Sequence, residues 1–247
     1  MKLLKRWVLA FVAPKPLIGL FFLPRYWRDW WNFRRLAAPA TRPTLADTYP
    51  CLTDWSPATP FDPHYFYQGA WLARHLQQTK PALHVDIGSS TVMLSVLSAQ
   101  VPTVFVDYRP LRAFLPNLLC VGGSVLQLPF KDGSIRSLSC LHVLEHIGLG
   151  RYGDPIDPAG SERAAVELMR VLAPGGTLYL STPVGREQVC FNAHRVFTPD
   201  GLLHIFGALE KAAFALVDDS GVFHATAHVE SASQLNYGCG MYVFRKP

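Results

Sequence analysis

Several features that define common protein classes are missing from this 247-residue chain. Its five cysteines are odd in number and far apart, and no C-x-x-C pair occurs. This pattern indicates reduced thiols in a cytosolic setting rather than a disulfide framework. Charged residues are scarce at 17%, whereas apolar residues make up 49%. These values are typical of a slightly apolar globular protein.

Long uninterrupted apolar runs are missing as well. A helix that spans a membrane needs about 20 consecutive apolar residues. Pro14, Lys15 and Pro16 interrupt the N-terminal apolar stretch before its second run, residues 17–23. The same break argues against a signal peptide, and the small residues at 37–40 come too late for its cleavage site.

Residues 1–36 instead combine positive charge with tryptophan. They hold eight lysines and arginines, one acid and four of the six tryptophans, so their net charge is +7 and that of the remainder is −2. The basic pI therefore belongs to this arm, and we predict no nucleic-acid partner for the rest.

Aromatic rings alternating with cations are typical of a membrane interface. We predict that residues 1–36 attach the protein to a membrane surface, which makes it a cytoplasmic protein peripheral to the inner face. Two other roles fit the same residues: an arm packed on its own domain or on a second subunit, and an uncleaved anchor.

The rest of the chain divides at a helix start. Residues 37–61 are rich in proline and lack periodicity, which predicts an extended linker. Asp62 is a suitable N-cap and Pro63 a suitable first residue for a helix ending near Gln78. We therefore predict one domain over residues 62–247.

The segment 83–109 organises this domain. An apolar run ends in Asp86, a turn contains Gly88, a helical pattern follows from residue 91, and a second apolar run ends in Asp107. This order, strand, turn, helix, strand and acid, is typical of a nucleotide-binding α/β unit. Asp107 follows Asp86 at about the offset at which an acid reaches ribose hydroxyls.

The glycine motif G-x-G-x-x-G is absent, because the turn reads G-S-S-T with Ser89 and Ser90 after the glycine. A diphosphate needs the close backbone approach that those glycines allow. A ligand with a carboxylate end and a ribose fits this turn better. An ordinary β-α-β turn without a ligand also fits it.

The rest of the domain continues the alternation of strands and helices. We predict strands at 121–125, 137–142, 177–181, 214–217 and 241–244, and helices starting at 143–147 and spanning 161–172.

Five segments in this order resemble the class I S-adenosylmethionine-dependent methyltransferases over residues 83–183: V-D-I-G, the acid ending strand two, G-S-V-L-Q-L-P-F, S-C-L-H-V-L-E-H-I and E-L-M-R-V-L-A-P-G-G-T-L-Y-L-S-T-P. More narrowly, motifs such as HYFYQGAWLAR, LEHIGLGRYGDPIDP and FNAHRVF resemble the methyltransferase-like family DUF268 over roughly residues 62–247. The resemblance implies a Rossmann-like α/β fold, with a seven-stranded sheet whose last strand is antiparallel and with helices on both faces.

The resemblance also implies a cofactor, S-adenosyl-L-methionine, at the carboxyl ends of strands one, two and four. The matching positions are Asp86, Gly88 and Ser89 for the methionine part, Asp107 for the ribose, Ser124 and Val125 for the adenine side, and His142 beside the sulfonium. Ser124 departs from the family, which often has an acid there, and the degenerate glycine turn is a second departure.

Methyl transfer to a hydroxyl requires alignment and a base. His142 and His194 are the predicted catalytic residues, because the pKa of histidine suits proton transfer. Glu145 and His146 fit this role too, or simply pair within a helix. Asn192 and Arg195, beside His194, are predicted to bind the acceptor; anchoring the next helix is the alternative.

The glycine- and proline-rich segment 148–158 displays Arg151, Tyr152 and Asp154, which we predict to contact a sugar or phosphate. A plain structural loop is the alternative. Asp154 and Asp157 have no histidine partner, so no metal site is predicted.

Together these features predict an S-adenosylmethionine-dependent methyltransferase that O-methylates a glycan or lipid-linked sugar near a membrane. A non-catalytic methyltransferase fold that binds partners in a glycan or envelope assembly complex is the alternative. A nicotinamide enzyme is disfavoured, because the diphosphate-binding glycines are absent.

Overall fold

The computed structural model describes residues 18–247. The chain divides into two compact units between Phe61 and Asp62. Most of the predicted N-terminal apolar stretch, residues 1–17, lies outside the described residues.

In the first unit, helix α1 spans Leu23–Leu36 and none of its residues is buried. Short 3-10 turns lie at Leu20–Phe22, Pro39–Thr41 and Leu45–Asp47. The guanidinium of Arg25 lies 3.7 Å from the ring centre of Trp55, a cation–π contact within this unit. Between residues 18 and 247, no helix combines the length and apolar character that crossing a membrane requires.

Ten strands and four further helices form the second unit. The strands are β1 His84–Ile87, β2 Thr103–Asp107, β3 Leu118–Gly122, β4 Ile135–Leu141, β5 Leu172–Val184, β6 Gln188–Cys190, β7 His194–Val196, β8 Glu210–Val217, β9 Phe223–His224 and β10 Gly238–Arg245. The helices are α2 Pro63–Thr79, α3 Thr91–Leu97, α4 Gly160–Val171 and α5 Pro199–Ile205.

Eight strands form the main sheet, in the order β3-β2-β1-β4-β5-β10-β8-β9. The strands from β3 to β5 are parallel, whereas β10 runs antiparallel to both β5 and β8. This confirms the predicted seven-stranded arrangement with an antiparallel last strand, to which the two-residue β9 adds an edge. Strands β6 and β7 pair separately.

Both faces of the sheet are covered by helices, so the central parallel strands β1 and β4 are buried on both sides, including a polar group formed by His84, Asp86, Ser137 and Ser139. On one face, Leu72 and Leu76 of α2 pack with Tyr179 and Met241. On the other face, α4 and α5 contribute a second apolar cluster that includes Leu168 and Leu202. Helix α2 begins as predicted: Oδ1 of Asp62 accepts hydrogen bonds from the first-turn amides of His64 and Tyr65.

Two predicted elements were wrong in position or extent. The third strand ends at Gly122, so Ser124 and Val125 lie in the following turn, where Ser124 Oγ accepts a hydrogen bond from the Leu126 amide. The helix predicted from 143 is a single 3-10 turn, Leu144–His146. Left-handed glycines at 148 and 150 then turn the chain into a loop instead of continuing the helix.

Candidate active site

The turn after β1 is held by its own side chains. Asp86 is fully buried; its Oδ1 accepts a hydrogen bond from the Ser89 amide at 3.1 Å, and its Oδ2 accepts one from Ser139 Oγ. Ser89 Oγ in turn accepts from the Leu141 amide at 3.1 Å. Burial raises the pKa of Asp86 to about 6. Asp86 and Ser89 therefore shape the turn, and neither lines the two cavities described next.

A small cavity of about 100 Å³ lies beside this turn and is lined by Gly88, Asp107, Val125 and His142 among others. Gly88 has a left-handed φ of 65°, and a Cβ placed there would lie 3.2 Å from Val143 Cγ2 and 3.7 Å from Asp107 Oδ2. Asp107 Oδ1 accepts a hydrogen bond from the Arg109 amide at 2.6 Å. Among residues 18–247, none donates a hydrogen bond to Asp107 Oδ2. Ser124 does not line this cavity.

A larger cavity of about 660 Å³ adjoins the small one. Its wall comes from the start of α2, the segment after β4, the start of β7, the turn after β8 and the two residues before β10. The lining side chains include Tyr65, Glu145, Arg151, His194, Asp218, Asp219 and Tyr237. His142, His146 and Tyr152 line both cavities, so the two spaces meet at these three residues.

His142 and Glu145 form a buried pair at this junction. His142 has an unusual positive φ of 53°, and its Nδ1 lies 2.7 Å from Glu145 Oε1. Burial alone would lower the pKa of His142, but the Glu145 carboxylate and the sulfur of Cys239 outweigh burial and raise it. Burial alone would raise the pKa of Glu145, but the charge on His142 outweighs it and lowers that pKa. Both shifts favour the charged forms of the pair, and an imidazolium cannot accept a proton; the role of His142 as the base stays a prediction.

Two other histidines face the larger cavity in neutral form. Burial, followed by the positive charge of His142, lowers the pKa of His64 to about 4. Burial also lowers the pKa of His194. The ring of Tyr237 contacts both, with centroids 5.1 Å from His64 and 4.8 Å from His194. His194 lies where the sequence predicted, whereas His64 was missed because in the sequence it looks like any residue of a first helical turn.

The loop 148–158 brings two of its three predicted residues to the cavities. Arg151 lines the larger cavity, and its Nη1 donates to the carbonyl of Ala193 at 2.9 Å. The ring of Tyr152 lies 4.4 Å from the guanidinium of Arg109. Asp154 lines neither cavity: its carboxylate accepts from the amides of Gly148 at 2.9 Å and Tyr152 at 3.1 Å, and so holds the loop together.

Two more predicted acceptor residues lie outside both cavities. Arg195 is buried, and its guanidinium donates to the carbonyls of Ile147 at 2.6 Å, Pro158 at 3.2 Å and Asp157 at 3.4 Å. Its donors are thus engaged with carbonyls at the two ends of the loop 148–158, and none of these partners belongs to the next helix, which the alternative would require. Asn192 is exposed.

Comparisons with known proteins agree with this geometry. Residues 69–180 match the family profile described as a methyltransferase domain. This part of the chain is therefore similar to a methyltransferase domain, and the strand order is that of the class I methyltransferase fold. More narrowly, residues 134–236 match the profile described as "Caenorhabditis protein of unknown function, DUF268". Both predicted resemblances are confirmed over these ranges. No curated protein sequence matches the chain.

Solved structures show the same fold at low identity. N-methyltransferase NodS from Bradyrhizobium japonicum, in complex with S-adenosyl-L-homocysteine, has a TM-score of 0.52 at 16% identity, covering 74% of this chain and 86% of that one. A putative sarcosine dimethylglycine methyltransferase from Galdieria sulphuraria has a TM-score of 0.51 at 14% identity, covering 73% and 86%. At these identities the likeness establishes the fold.

Proposed function

We propose that this protein transfers a methyl group from S-adenosyl-L-methionine, bound in the small cavity, to an acceptor bound in the large one. One observation carries the proposal: His142, His146 and Tyr152 line both cavities, so a donor and an acceptor meet there. In open α/β sheets, ligands bind beyond the carboxyl ends of the strands, which is where both cavities lie. The methyltransferase-domain match over residues 69–180 supports the same reaction.

The residues of the small cavity fit this donor. Asp107 Oδ2 is free to accept hydrogen bonds from ribose hydroxyls, and the missing side chain of Gly88 leaves the close approach that a donor needs. The cavity volume of about 100 Å³ is too small for the whole donor. We therefore infer that the contact between Arg109 and Tyr152, both of which line it, opens when the donor binds.

The donor supplies an activated methyl group on a sulfonium, so the protein's own part is alignment and proton removal. His194 faces the larger cavity as a neutral imidazole and is our candidate base. The Glu145 carboxylate outweighs burial and raises the pKa of His142, so we assign His142 the role of orienting groups at the junction rather than accepting a proton.

The acceptor that we propose is a glycan or a lipid-linked sugar, with its hydroxyl as the methylated group. The larger cavity offers the aromatic rings of Tyr65 and Tyr237. Asp218 and Asp219 also line it, and their carboxylates accept hydrogen bonds from the amides of Ser220 and Asn236, which holds the cavity wall in place. Aromatic faces and a few placed polar groups are what a cavity of this size uses to bind a small polar ligand.

A membrane location near a lipid-linked acceptor is supported by helix α1. Trp31 and Phe33 of α1 are each 59% exposed, and the side chain of Arg28 is 66% exposed. Exposed tryptophan and arginine are what the headgroup layer of a membrane attracts. We propose that this helix brings the protein to the cytoplasmic face of an anionic membrane.

Calorimetric titration with S-adenosylhomocysteine tests the donor site. Asp107→Ala should weaken binding by at least about 2 kcal/mol, because it removes hydrogen bonds to a charged acceptor. In Asp107→Asn, the side-chain oxygen can still accept the hydrogen bond from the Arg109 amide, so the turn is kept. This variant therefore shows whether the loss of affinity comes from the ribose contact or from a changed turn. Glu187→Ala, an exposed change outside both cavities, serves as the control. Equal affinities for all variants, or binding of NADH instead, would contradict the proposal.

A further inference from the structure

Three metal-ligating side chains meet at the inner end of the larger cavity. They come from the first turn of α2 (His64), the end of β4 (His142) and the start of β10 (Cys239). One ligand atom from each lies within 4.8 Å of the others. Because the three residues lie far apart in the sequence, no spacing motif reveals them.

The distances between these groups are close to those of a tetrahedral zinc site. A nitrogen and a sulfur bound to one tetrahedral zinc ion lie about 3.6 Å apart, and His142 Nε2 lies 3.3 Å from Cys239 Sγ. Two imidazoles on such an ion have ring centres about 5 Å apart, and those of His64 and His142 are 5.3 Å apart. The three ligand atoms lie within 4.8 Å of one another, so the side chains must move closer together to close the site.

A carboxylate already orients one of the ligands. Glu145 Oε1 lies 2.7 Å from His142 Nδ1, which leaves Nε2 directed at the sulfur of Cys239. Zinc-bound histidines typically donate their second nitrogen to such a carboxylate, and this contact fixes the ring orientation. Thr182 Oγ1 in turn donates to Glu145 Oε2 at 3.4 Å.

The burial of the ligands differs from one side of the cluster to the other. Cys239 is fully buried and His142 is buried, whereas His64 is half-buried; both histidines line the larger cavity. Three protein ligands with one side facing a cavity is the pattern of catalytic zinc, which keeps its fourth position for water or substrate.

We propose that His64, His142 and Cys239 bind a zinc ion whose fourth position holds the acceptor. On binding, the ion would take the place of the protons on His142 Nε2 and Cys239 Sγ, which pass to solvent, so that a neutral imidazole and a thiolate hold it. A zinc-bound oxygen has a lowered pKa, so a hydroxyl acceptor held there loses its proton more readily. This use of the ion rests on the proposed function, whereas zinc binding itself does not.

Cobalt substitution of the full-length protein, after removal of bound metal with a chelator, tests the site. Binding of one Co²⁺ should produce a thiolate-to-cobalt charge-transfer absorption, and Zn²⁺ should abolish it by competition. Cys239→Ser should remove the absorption, and His64→Ala should weaken zinc binding at least about 100-fold, more than loss of an orienting partner. The control variants Cys190→Ser and His75→Ala change the same residue types outside the cluster. They should leave the cobalt absorption and the zinc affinity unchanged.

Absence of the absorption in the wild type, or its persistence in Cys239→Ser, would overturn the proposal. If Cys239→Ser does not fold, the wild-type spectrum and the zinc affinity of His64→Ala, a change at a half-buried position, still test the site. Titration of S-adenosylhomocysteine into the zinc-free protein keeps the two claims apart. Donor binding without cobalt absorption refutes only the metal site, whereas cobalt absorption without donor binding refutes only the methyltransferase proposal.

Discussion

Replacing Glu145 by glutamine tests the buried pair at the junction of the two cavities. The change keeps the size of the side chain but removes the charge that faces His142 Nδ1 at 2.7 Å. Removing one partner of a buried ion pair costs about 3–5 kcal/mol of folding free energy. Because His142 can respond by losing its proton, we expect the lower end, about 3 kcal/mol.

The pH dependence of this loss follows from the two pKa shifts. The raised pKa of His142 contributes stability that is complete below its ordinary value of 6.5 and is lost as the pH rises through the folded-state pKa. The lowered pKa of Glu145 contributes stability that is present above its ordinary value of 4.5 and is lost as the pH falls through the folded-state pKa. The pair therefore contributes most to the free energy of unfolding between pH 4.5 and 6.5.

Urea unfolding of metal-free protein, within this pH window and above it, measures the effect. The difference between wild type and Glu145→Gln should be largest inside the window and should shrink at high pH. Glu187→Gln removes an exposed glutamate and should stay within about 0.5 kcal/mol of wild type. A Glu145→Gln loss below about 1 kcal/mol, or a loss that does not change with pH, would refute the pairing.

Two further predictions concern the loops and the N-terminal helix. Arg195→Ala should reduce the free energy of unfolding by about 3 kcal/mol, because it removes charged hydrogen bonds to the carbonyls of residues 147, 157 and 158; an unchanged urea midpoint would contradict this. The full-length protein should sediment with anionic vesicles at low salt, be released at high salt and ignore neutral vesicles. The double variant Trp27→Ala/Trp31→Ala should bind these vesicles more weakly, and equal binding would exclude α1 as the anchor.

Local features of the fold were predictable because their causes lie within a few residues. The N-cap at Asp62, the left-handed turn at Gly88 and the acid ending β2 at Asp107 all follow from the properties of one or two side chains. The strand order followed from the resemblance, and local propensity alone does not specify it. The third strand was misplaced because the turn at Ser124 was mistaken for its end.

The candidate site was less predictable because its contacts join distant parts of the chain. His142 and Glu145 have helical spacing, so their sequence fits an ordinary pair within a helix equally well. The left-handed backbone at His142 and the contact with Cys239, 97 residues away, give the pair its place at the cavity. Arg195 was assigned to the acceptor because the sequence does not reveal that loop carbonyls occupy its donors.

A crystal structure of the complex with S-adenosylhomocysteine tests the central claim most directly. The ribose hydroxyls should lie within hydrogen-bond distance of Asp107 Oδ2, with the ligand backbone passing close to Gly88. The guanidinium of Arg109 and the ring of Tyr152 should be farther apart than their present 4.4 Å. A ligand bound elsewhere, or a ribose that does not contact Asp107, would contradict the account.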